Sequence, residues 1–155
     1  MIQKILDFIK KLFGIAPQKT TSTPTQKETV EKSYEKKALL TATEIKFKNA
    51  LEKALPNEYI LYPQINLASI IKRIDEHKFQ NELYRNVDFC VFDKKFNPVL
   101  IIEINDKTHN ERERKARDYK VKEICEKANL PIFTLWTDYG VNESYIEKKI
   151  KEHLN

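Results

Sequence analysis

The chain has 155 residues, of which 41% are hydrophobic and 33% are charged. This composition is typical of a globular protein and excludes a collagen-like, coiled-coil or wholly disordered chain. A chain of this length is typical of a single domain and is long enough to form a hydrophobic core without disulfides. The formal charge of +5 weakly favours an anionic partner, either nucleic acid or an acidic membrane surface, although a basic surface also serves solubility alone.

The first residues form an amphipathic pattern. Apolar residues recur at helical spacing from Ile2 to Phe13, which predicts an amphipathic helix over residues 1–13. The run is shorter than the roughly 20 residues needed to cross a bilayer, and lysines interrupt it where a secretory signal is continuous. Two alternatives are equally favoured, since such a helix lies in a membrane interface or docks on a partner or on its own domain. Residues 14–38 are mostly polar, which predicts a flexible linker before a domain at residues 39–155.

The two cysteines, Cys90 and Cys125, each lie in an apolar segment. Their spacing matches no zinc-binding motif. Such residues behave as small hydrophobic side chains in a reducing compartment. We therefore predict that both thiols are buried and that the protein is cytoplasmic, with peripheral attachment at the inner face of the membrane if the N-terminal helix binds lipid.

The segment after residue 40 carries the signals of a helix and three strands. Thr41 and Glu44 form a capping-box pattern, and Pro56 ends the helix that they begin. Residues 68–83 indicate a short helix or loop, and residues 93–97 fit a hairpin loop. Runs of β-forming residues predict three strands, with an irregularity at the proline of the first: Tyr59–Leu67, Val87–Phe92 and Pro98–Ile104.

The remaining chain predicts a helix, a strand and a closing helix. A charged helix extends from about residue 110 to residue 128, and Asn129 fits the left-handed position that follows many helices. An apolar strand at Pro131–Trp136 and an amphipathic helix at Asn142–Leu154 complete the domain. The order α-β-β-β-α-β-α predicts an α/β fold.

Two carboxylates interrupt otherwise apolar strands. Asp88 lies near the start of the second strand and Glu103 near the end of the third. A buried charge without a partner is costly, so both positions call for an explanation. A hairpin brings these strand ends together, and alternation places Asn105 on the same face as Glu103. Two close carboxylates repel unless a cation lies between them, which predicts a site for Mg²⁺ or Mn²⁺.

A cation held by carboxylates is suited to phosphodiester hydrolysis, since it binds a phosphate oxygen and activates water. Asp106 and His109 follow the third strand closely. The alternative is that these residues have purely structural roles. Asp88 and Glu103 would then each pair with a nearby lysine, Asp106 would be a turn residue and His109 would begin a helix. The next helix supplies positive charges for a phosphate backbone: Arg112, Arg114, Lys115, Arg117, Lys120 and Lys122.

The segments "VDFCVF" and "VLIIEINDKTH" resemble the metal-binding half of the PD-(D/E)xK restriction-endonuclease-like superfamily. More closely, the chain resembles the bacterial family known as domain of unknown function 2726, and the very-short-patch-repair endonucleases are more distant relatives. The resemblance implies an αβββαβ core with a mixed central sheet flanked by helices, plus a C-terminal helix. It covers about residues 39–136 through six segments in family order: "LLTATEIKF", "LYPQINL", "VDFCVF", "VLIIEINDKTH", "RERKARD" and "NLPIFTL".

The resemblance also implies roles for individual residues. Asp88 matches the metal-binding aspartate of the superfamily, with Val87 in place of the usual proline. Glu103 matches the second acidic position and is implied to be the other metal ligand. The third position, commonly lysine, is Asn105, and this departure puts the general base or water-orienting role in doubt.

Several residues are candidates for the role that Asn105 leaves open. Lys122 or Lys120 of the following helix is a displaced lysine of the kind seen in such enzymes. His109 is another candidate, because the repair-type relatives carry a histidine just past this strand. An unperturbed imidazole titrates at about pH 6.5, which suits proton transfer near neutral pH. Asp106 is either an added metal ligand or a turn residue.

Glu44 and Gln64 are accessory candidates for the site. A first-helix glutamate joins the site in several such nucleases, but the capping box already explains Glu44 locally. Gln64 is an inward polar candidate, and polarity at a sheet edge explains it equally well.

Three functions follow from these observations. The preferred one is a Mg²⁺- or Mn²⁺-dependent nuclease acting on DNA rather than RNA, because the carboxylate pair lies beside a basic helix. The second is a catalytically inactive nucleic-acid-binding module on the same fold. The third is a membrane-tethered interaction module anchored through residues 2–13, and one fold accommodates all three.

Overall fold

The computed structural model describes residues 33–75, 81–106 and 112–154, with the backbone alone at residues 112–115 and 117. The predicted N-terminal helix and most of the predicted linker lie outside these residues. Residues Lys37–Asn155 form one compact unit. Within the described ranges, no helix combines the length and the apolar character needed to cross a bilayer.

The first described helix, α1 (Ala42–Ala54), begins at the predicted capping box. The Thr41 amide donates to Glu44 Oε2 at 2.6 Å, and the Glu44 amide donates to Thr41 Oγ1 at 3.2 Å. Leu55 then takes an extended conformation ahead of Pro56, because a proline disfavours the helical conformation in the residue before it. The start and the end of this helix are both confirmed.

Four strands form one sheet in the order β1-β2-β3-β4. They are β1 (Tyr59–Asn66), β2 (Asn86–Asp93), β3 (Pro98–Asn105) and β4 (Ile132–Trp136). β2 pairs antiparallel with β1 and β3, whereas β3 and β4 are parallel. A parallel pair needs a crossover connection, which the helix α2 (Arg112–Lys127) provides. The predicted α/β fold with a mixed sheet and an αβββαβ order is confirmed.

The sheet separates two hydrophobic clusters. The first cluster joins α1 and the C-terminal helix α3 (Glu143–Leu154) to one face of the sheet, around Phe89 and Ile102. The second cluster joins α2 to the opposite face, around Cys90 and Ile101. The domain therefore has three layers, with helices on both faces of the sheet.

Two turns confirm local predictions. In the hairpin between β2 and β3, the Asp93 amide donates to the Asn97 carbonyl oxygen at 3.0 Å. After α2, Asn129 takes the left-handed conformation with a φ of 52°. The Leu130 amide then donates to the Cys125 carbonyl oxygen at 2.9 Å, which closes the end of the helix.

The described part of the connection between β1 and β2 contains two short 3₁₀ turns, Leu67–Ser69 and Asn81–Leu83. This agrees with the predicted short helix or loop in its described part. The Leu67 amide donates to the Arg85 carbonyl oxygen at 2.8 Å, so the two ends of the connection meet.

Cys90 and Cys125 are both 0% exposed in the second cluster, which confirms that they are core residues. Burial, with a smaller contribution from Cys125, raises the pKa of the Cys90 thiol from an ordinary value of 9.0 to about 12. Burial also raises the pKa of Cys125 to about 11, and the Glu103 carboxylate adds to that shift.

Both thiols are expected to stay protonated and unreactive in the folded protein near neutral pH. Because the folded pKa exceeds the unfolded value, their contribution to stability is fully present below pH 9.0 and is lost as the pH rises through about 11 to 12. Titration with a thiol-specific chromogenic disulfide, before and after unfolding in guanidinium, measures this. Rapid reaction of both thiols in the native protein would contradict the expectation.

Candidate carboxylate site

The paired strands β1 and β2 change faces at the same level of the sheet. In β1, Leu61 packs in the first cluster and Ile65 against the second, although residues four apart share a face in a regular strand. In β2, Phe89 packs in the first cluster and Val87 in the second, although they are two residues apart. The side chains of both strands therefore switch faces of the sheet at the same level, while the pairing register between the strands is kept.

Gln64 and Asp88 lie where this change occurs. The register on either side of them places the two residues opposite each other. Gln64 has a φ of 54°, a left-handed conformation that is uncommon for a residue with a side chain. In β1, the change of face is thus concentrated at one residue with a strained backbone, Gln64. This residue lies opposite Asp88, the predicted metal ligand of β2.

The Asp88 carboxylate takes the place of a backbone acceptor between β2 and β3. The ladder between these strands ends at the pair Phe89 and Ile102. Amide directions alternate along a strand, and the Ile101 amide donates on the β4 side, so the Ile104 amide points toward β2. There it donates to Asp88 Oδ2 at 2.8 Å.

This hydrogen bond holds the Asp88 carboxylate at the end of β3 that carries Glu103. The Ile104 nitrogen is covalently bonded to the carbonyl carbon of Glu103, so Asp88 Oδ2 lies within roughly 5 Å of the Glu103 Cα. The two strand ends therefore meet, as the hairpin predicts.

Glu103 is half-buried on the α2 face of the sheet. Its carboxylate contributes to the raised pKa of Cys125, which places it close to the buried side of α2. It also lines an open cleft of about 1090 Å³. Other residues that line this cleft come from α2, from the first residue of β2 and from the residue before it: Arg85, Asn86, Asp118, Lys120 and Val121.

The neighbours of Glu103 on β3 have different settings. Asn105 is half-buried and pairs with Trp136 of β4, so the regular register keeps it on the face of Glu103. Asp106 is exposed just past the strand. His109 lies outside the described residues, and its role stays a prediction.

Lys120 lines the cleft but is held by two carboxylates. Its Nζ lies 3.0 Å from Glu123 Oε2 and 3.3 Å from Glu82 Oε2. The hydrogen bond with Glu123, followed by that with Glu82, raises the pKa of Lys120. A raised pKa keeps the ammonium charged, which suits a cationic role, and the role of Lys120 as a displaced lysine stays a prediction.

The other predicted basic residues are less well placed or less well described. Lys122 is exposed on α2, and it is not among the described residues that line the cleft. Four more residues lie in the first two turns of α2, where the structure describes the backbone alone: Arg112, Arg114, Lys115 and Arg117. Their contact with a phosphate backbone stays a prediction.

The two accessory candidates, Glu44 and Gln64, are joined to each other. Glu44 Oε2 serves the helix cap, which confirms the local interpretation of this residue. Glu44 Oε1 accepts a hydrogen bond from Gln64 Nε2 at 3.3 Å. Since Gln64 faces Asp88 in the register, polar residues extend from α1 to the centre of the sheet.

Arg85 is a residue of the cleft that the sequence did not single out. It lies one position before β2, and its Nη1 is buried without a hydrogen-bond acceptor among the described residues. In the sequence, Arg85 is marked only as a basic residue three positions before Asp88. This feature does not distinguish it from an ordinary surface arginine.

The predicted metal ligands do not form a complete protein shell in the described part of the chain. Among the described residues, no three His, Cys, Asp or Glu side chains gather closely enough to hold a metal, so Asp88, Glu103 and Asp106 do not form such a group. Mg²⁺ usually keeps several waters and is held by one or two carboxylates together with substrate phosphates. A cation held by Asp88 and Glu103 together with water and substrate stays a prediction.

Comparison with known proteins gives a family but no described activity. An uncharacterized protein of Haemophilus influenzae is 27% identical over 125 residues, which cover 78% of this chain and 66% of that protein. The chain therefore spans just under two thirds of that relative's length. No solved structure matches the chain. The model of the DUF2726 family of proteins of unknown function matches residues 36–154, and the chain belongs to this family.

Proposed function

We propose that the domain is a metal-dependent nuclease of the PD-(D/E)xK superfamily that hydrolyses phosphodiester bonds of DNA. Asp88 and Glu103 bind Mg²⁺ or Mn²⁺ in this proposal. The observation that carries it is the hydrogen bond from the Ile104 amide to Asp88 Oδ2, because it holds the Asp88 carboxylate next to the backbone of Glu103, whose side chain lines a cleft. The αβββαβ order of elements also supports it.

Each residue of the proposed site has a role that its surroundings allow. The bound cation supplies Lewis acidity toward a phosphate oxygen and a nearby water. Asp88 is held in place before substrate arrives, so its position costs no reorganisation during the reaction. Lys120 stays protonated and keeps its ion pairs with Glu82 and Glu123 at the edge of the cleft. Asn105 donates and accepts hydrogen bonds but takes no proton, so it orients water while another group acts as the base.

Incubation of the purified full chain with DNA tests the proposal. Linear, nicked, branched and single-stranded substrates are offered with Mg²⁺ or Mn²⁺, and with EDTA as the control. We expect cleavage of at least one substrate that EDTA abolishes. Intact DNA in all four reactions would contradict a nuclease.

Asn105 favours one second candidate, a nucleic-acid-binding module without catalysis. The superfamily usually has lysine at this position, and an amide does not replace an ammonium in charge. This alternative predicts DNA binding that weakens steeply with salt and no cleavage under any metal condition. The interaction module anchored by residues 2–13 depends on a segment outside the described residues.

A further inference from the structure

Arg85 has a fixed backbone and a side chain with an unused donor. The Arg85 amide donates to the Leu83 carbonyl oxygen at 2.8 Å, and its carbonyl oxygen accepts from the Leu67 amide at 2.8 Å. The side chain is half-buried, and its Nη1 has no acceptor among the described residues. A guanidinium is always charged in proteins, and leaving a charged donor buried without an acceptor is unfavourable.

The cleft is also lined by a second positively charged side chain, Lys120, but carboxylates of the protein already neutralise it. Lys120 is paired with Glu82 and Glu123, whereas Arg85 Nη1 is paired with neither of the carboxylates that line the cleft with it, Glu103 and Asp118. Within the described ranges, the protein thus keeps at the cleft a guanidinium whose Nη1 has no acceptor. This arrangement is costly for folding alone and is explained by an anionic ligand.

We propose that Arg85 binds a phosphate of the nucleic-acid backbone next to the carboxylate pair. The planar guanidinium matches two oxygens of one phosphate, which a lysine does not. In this proposal the guanidinium turns toward the cleft that Arg85 lines, where the phosphate supplies the missing acceptor. Asn86 lines the same cleft, and its Oδ1 accepts from Asn66 Nδ2 at 2.9 Å, which orients its own Nδ2 as a further donor.

The class of ligand in this inference rests on the proposed function, but its test does not require cleavage. Fluorescence anisotropy measures the binding of the full chain to labelled single-stranded and duplex DNA 20-mers in EDTA. Arg85→Gln is expected to weaken binding roughly tenfold and to lower the slope of log affinity against log salt concentration by about one. Arg85→Lys is expected to bind DNA more tightly than Arg85→Gln but less tightly than the wild type. Lysine keeps the positive charge but lacks the planar guanidinium that contacts two phosphate oxygens.

Lys148→Gln is the matched control, since Lys148 is an exposed residue of α3 with a side chain 73% accessible to solvent. Equal losses in Lys148→Gln and Arg85→Gln, or no DNA binding by the wild type, would overturn the proposal. Wild-type affinity in Arg85→Lys would overturn the two-oxygen contact. Failure of cleavage with a selective loss of binding in Arg85→Gln would contradict the nuclease and leave the phosphate site supported.

Thermal unfolding separates this role from a structural one. If Arg85 is kept for an anion, Arg85→Gln removes an unsatisfied charge and leaves the melting temperature equal to or above that of the wild type. A clear fall in melting temperature would mean that the fold itself satisfies the guanidinium, and it would overturn the proposal.

Discussion

Replacing Glu103 by glutamine is expected to lower the rate of metal-dependent DNA cleavage by roughly 10²–10³-fold. The amide keeps the shape of the side chain but removes the negative charge that holds the cation. Glu103 lines the cleft, and its backbone adjoins the fixed Asp88 carboxylate, so in the proposed site its charge acts on the cation beside the substrate phosphate. Initial rates of cleavage under saturating Mn²⁺ measure the effect.

The matched control for this prediction is Glu147→Gln. Glu147 is exposed on α3, and its pKa is lowered by the hydrogen bond with Lys151, so the control removes a surface carboxylate of the same type. Its cleavage rate should equal that of the wild type, and circular dichroism should show that both variants fold. Equal rates in Glu103→Gln and the wild type would remove Glu103 from the mechanism.

Replacing Asp88 by alanine is expected to lower the free energy of unfolding by about 1–3 kcal/mol, even with no metal present. The change leaves the Ile104 amide without the acceptor that it has at 2.8 Å. Asp88→Asn keeps an oxygen acceptor of the same size and loses only the charge. We therefore expect the asparagine variant to remain close to the wild type in stability while losing metal binding.

Urea unfolding of the three proteins in EDTA measures this difference. The comparison separates the structural part of Asp88, which needs any acceptor, from its proposed ligand role, which needs a carboxylate. If alanine and asparagine destabilise the domain equally, the hydrogen bond to Ile104 does not contribute as the structure indicates.

Features set by neighbouring residues could be predicted from the sequence. The capping box at Thr41 and Glu44, the hairpin at residues 93–97 and the left-handed Asn129 each depend on a few consecutive side chains and backbone torsions. The antiparallel pairing of β2 and β3 follows from the same short hairpin. Alternation along β3 likewise placed Glu103 and Asn105 together, because this strand is regular as far as residue 105.

Features that depend on distant contacts were not predicted. The face change at Gln64 and Asp88 arises from two paired strands, and neither strand shows it alone. For that reason, alternation did not reveal that the Asp88 side chain binds a backbone amide of β3. Arg85 was missed for a similar reason, since its burial depends on how the connection after β1 returns to β2.

Calorimetric titration with Mn²⁺ tests the central claim most directly, because it needs no knowledge of the substrate. The wild type is compared with the double variant Asp88→Asn, Glu103→Gln, and folding of both is checked beforehand. We predict saturable Mn²⁺ binding by the wild type at one site and its loss in the double variant. Equal Mn²⁺ binding by the two proteins, or none by the wild type, would contradict a metal site at these carboxylates.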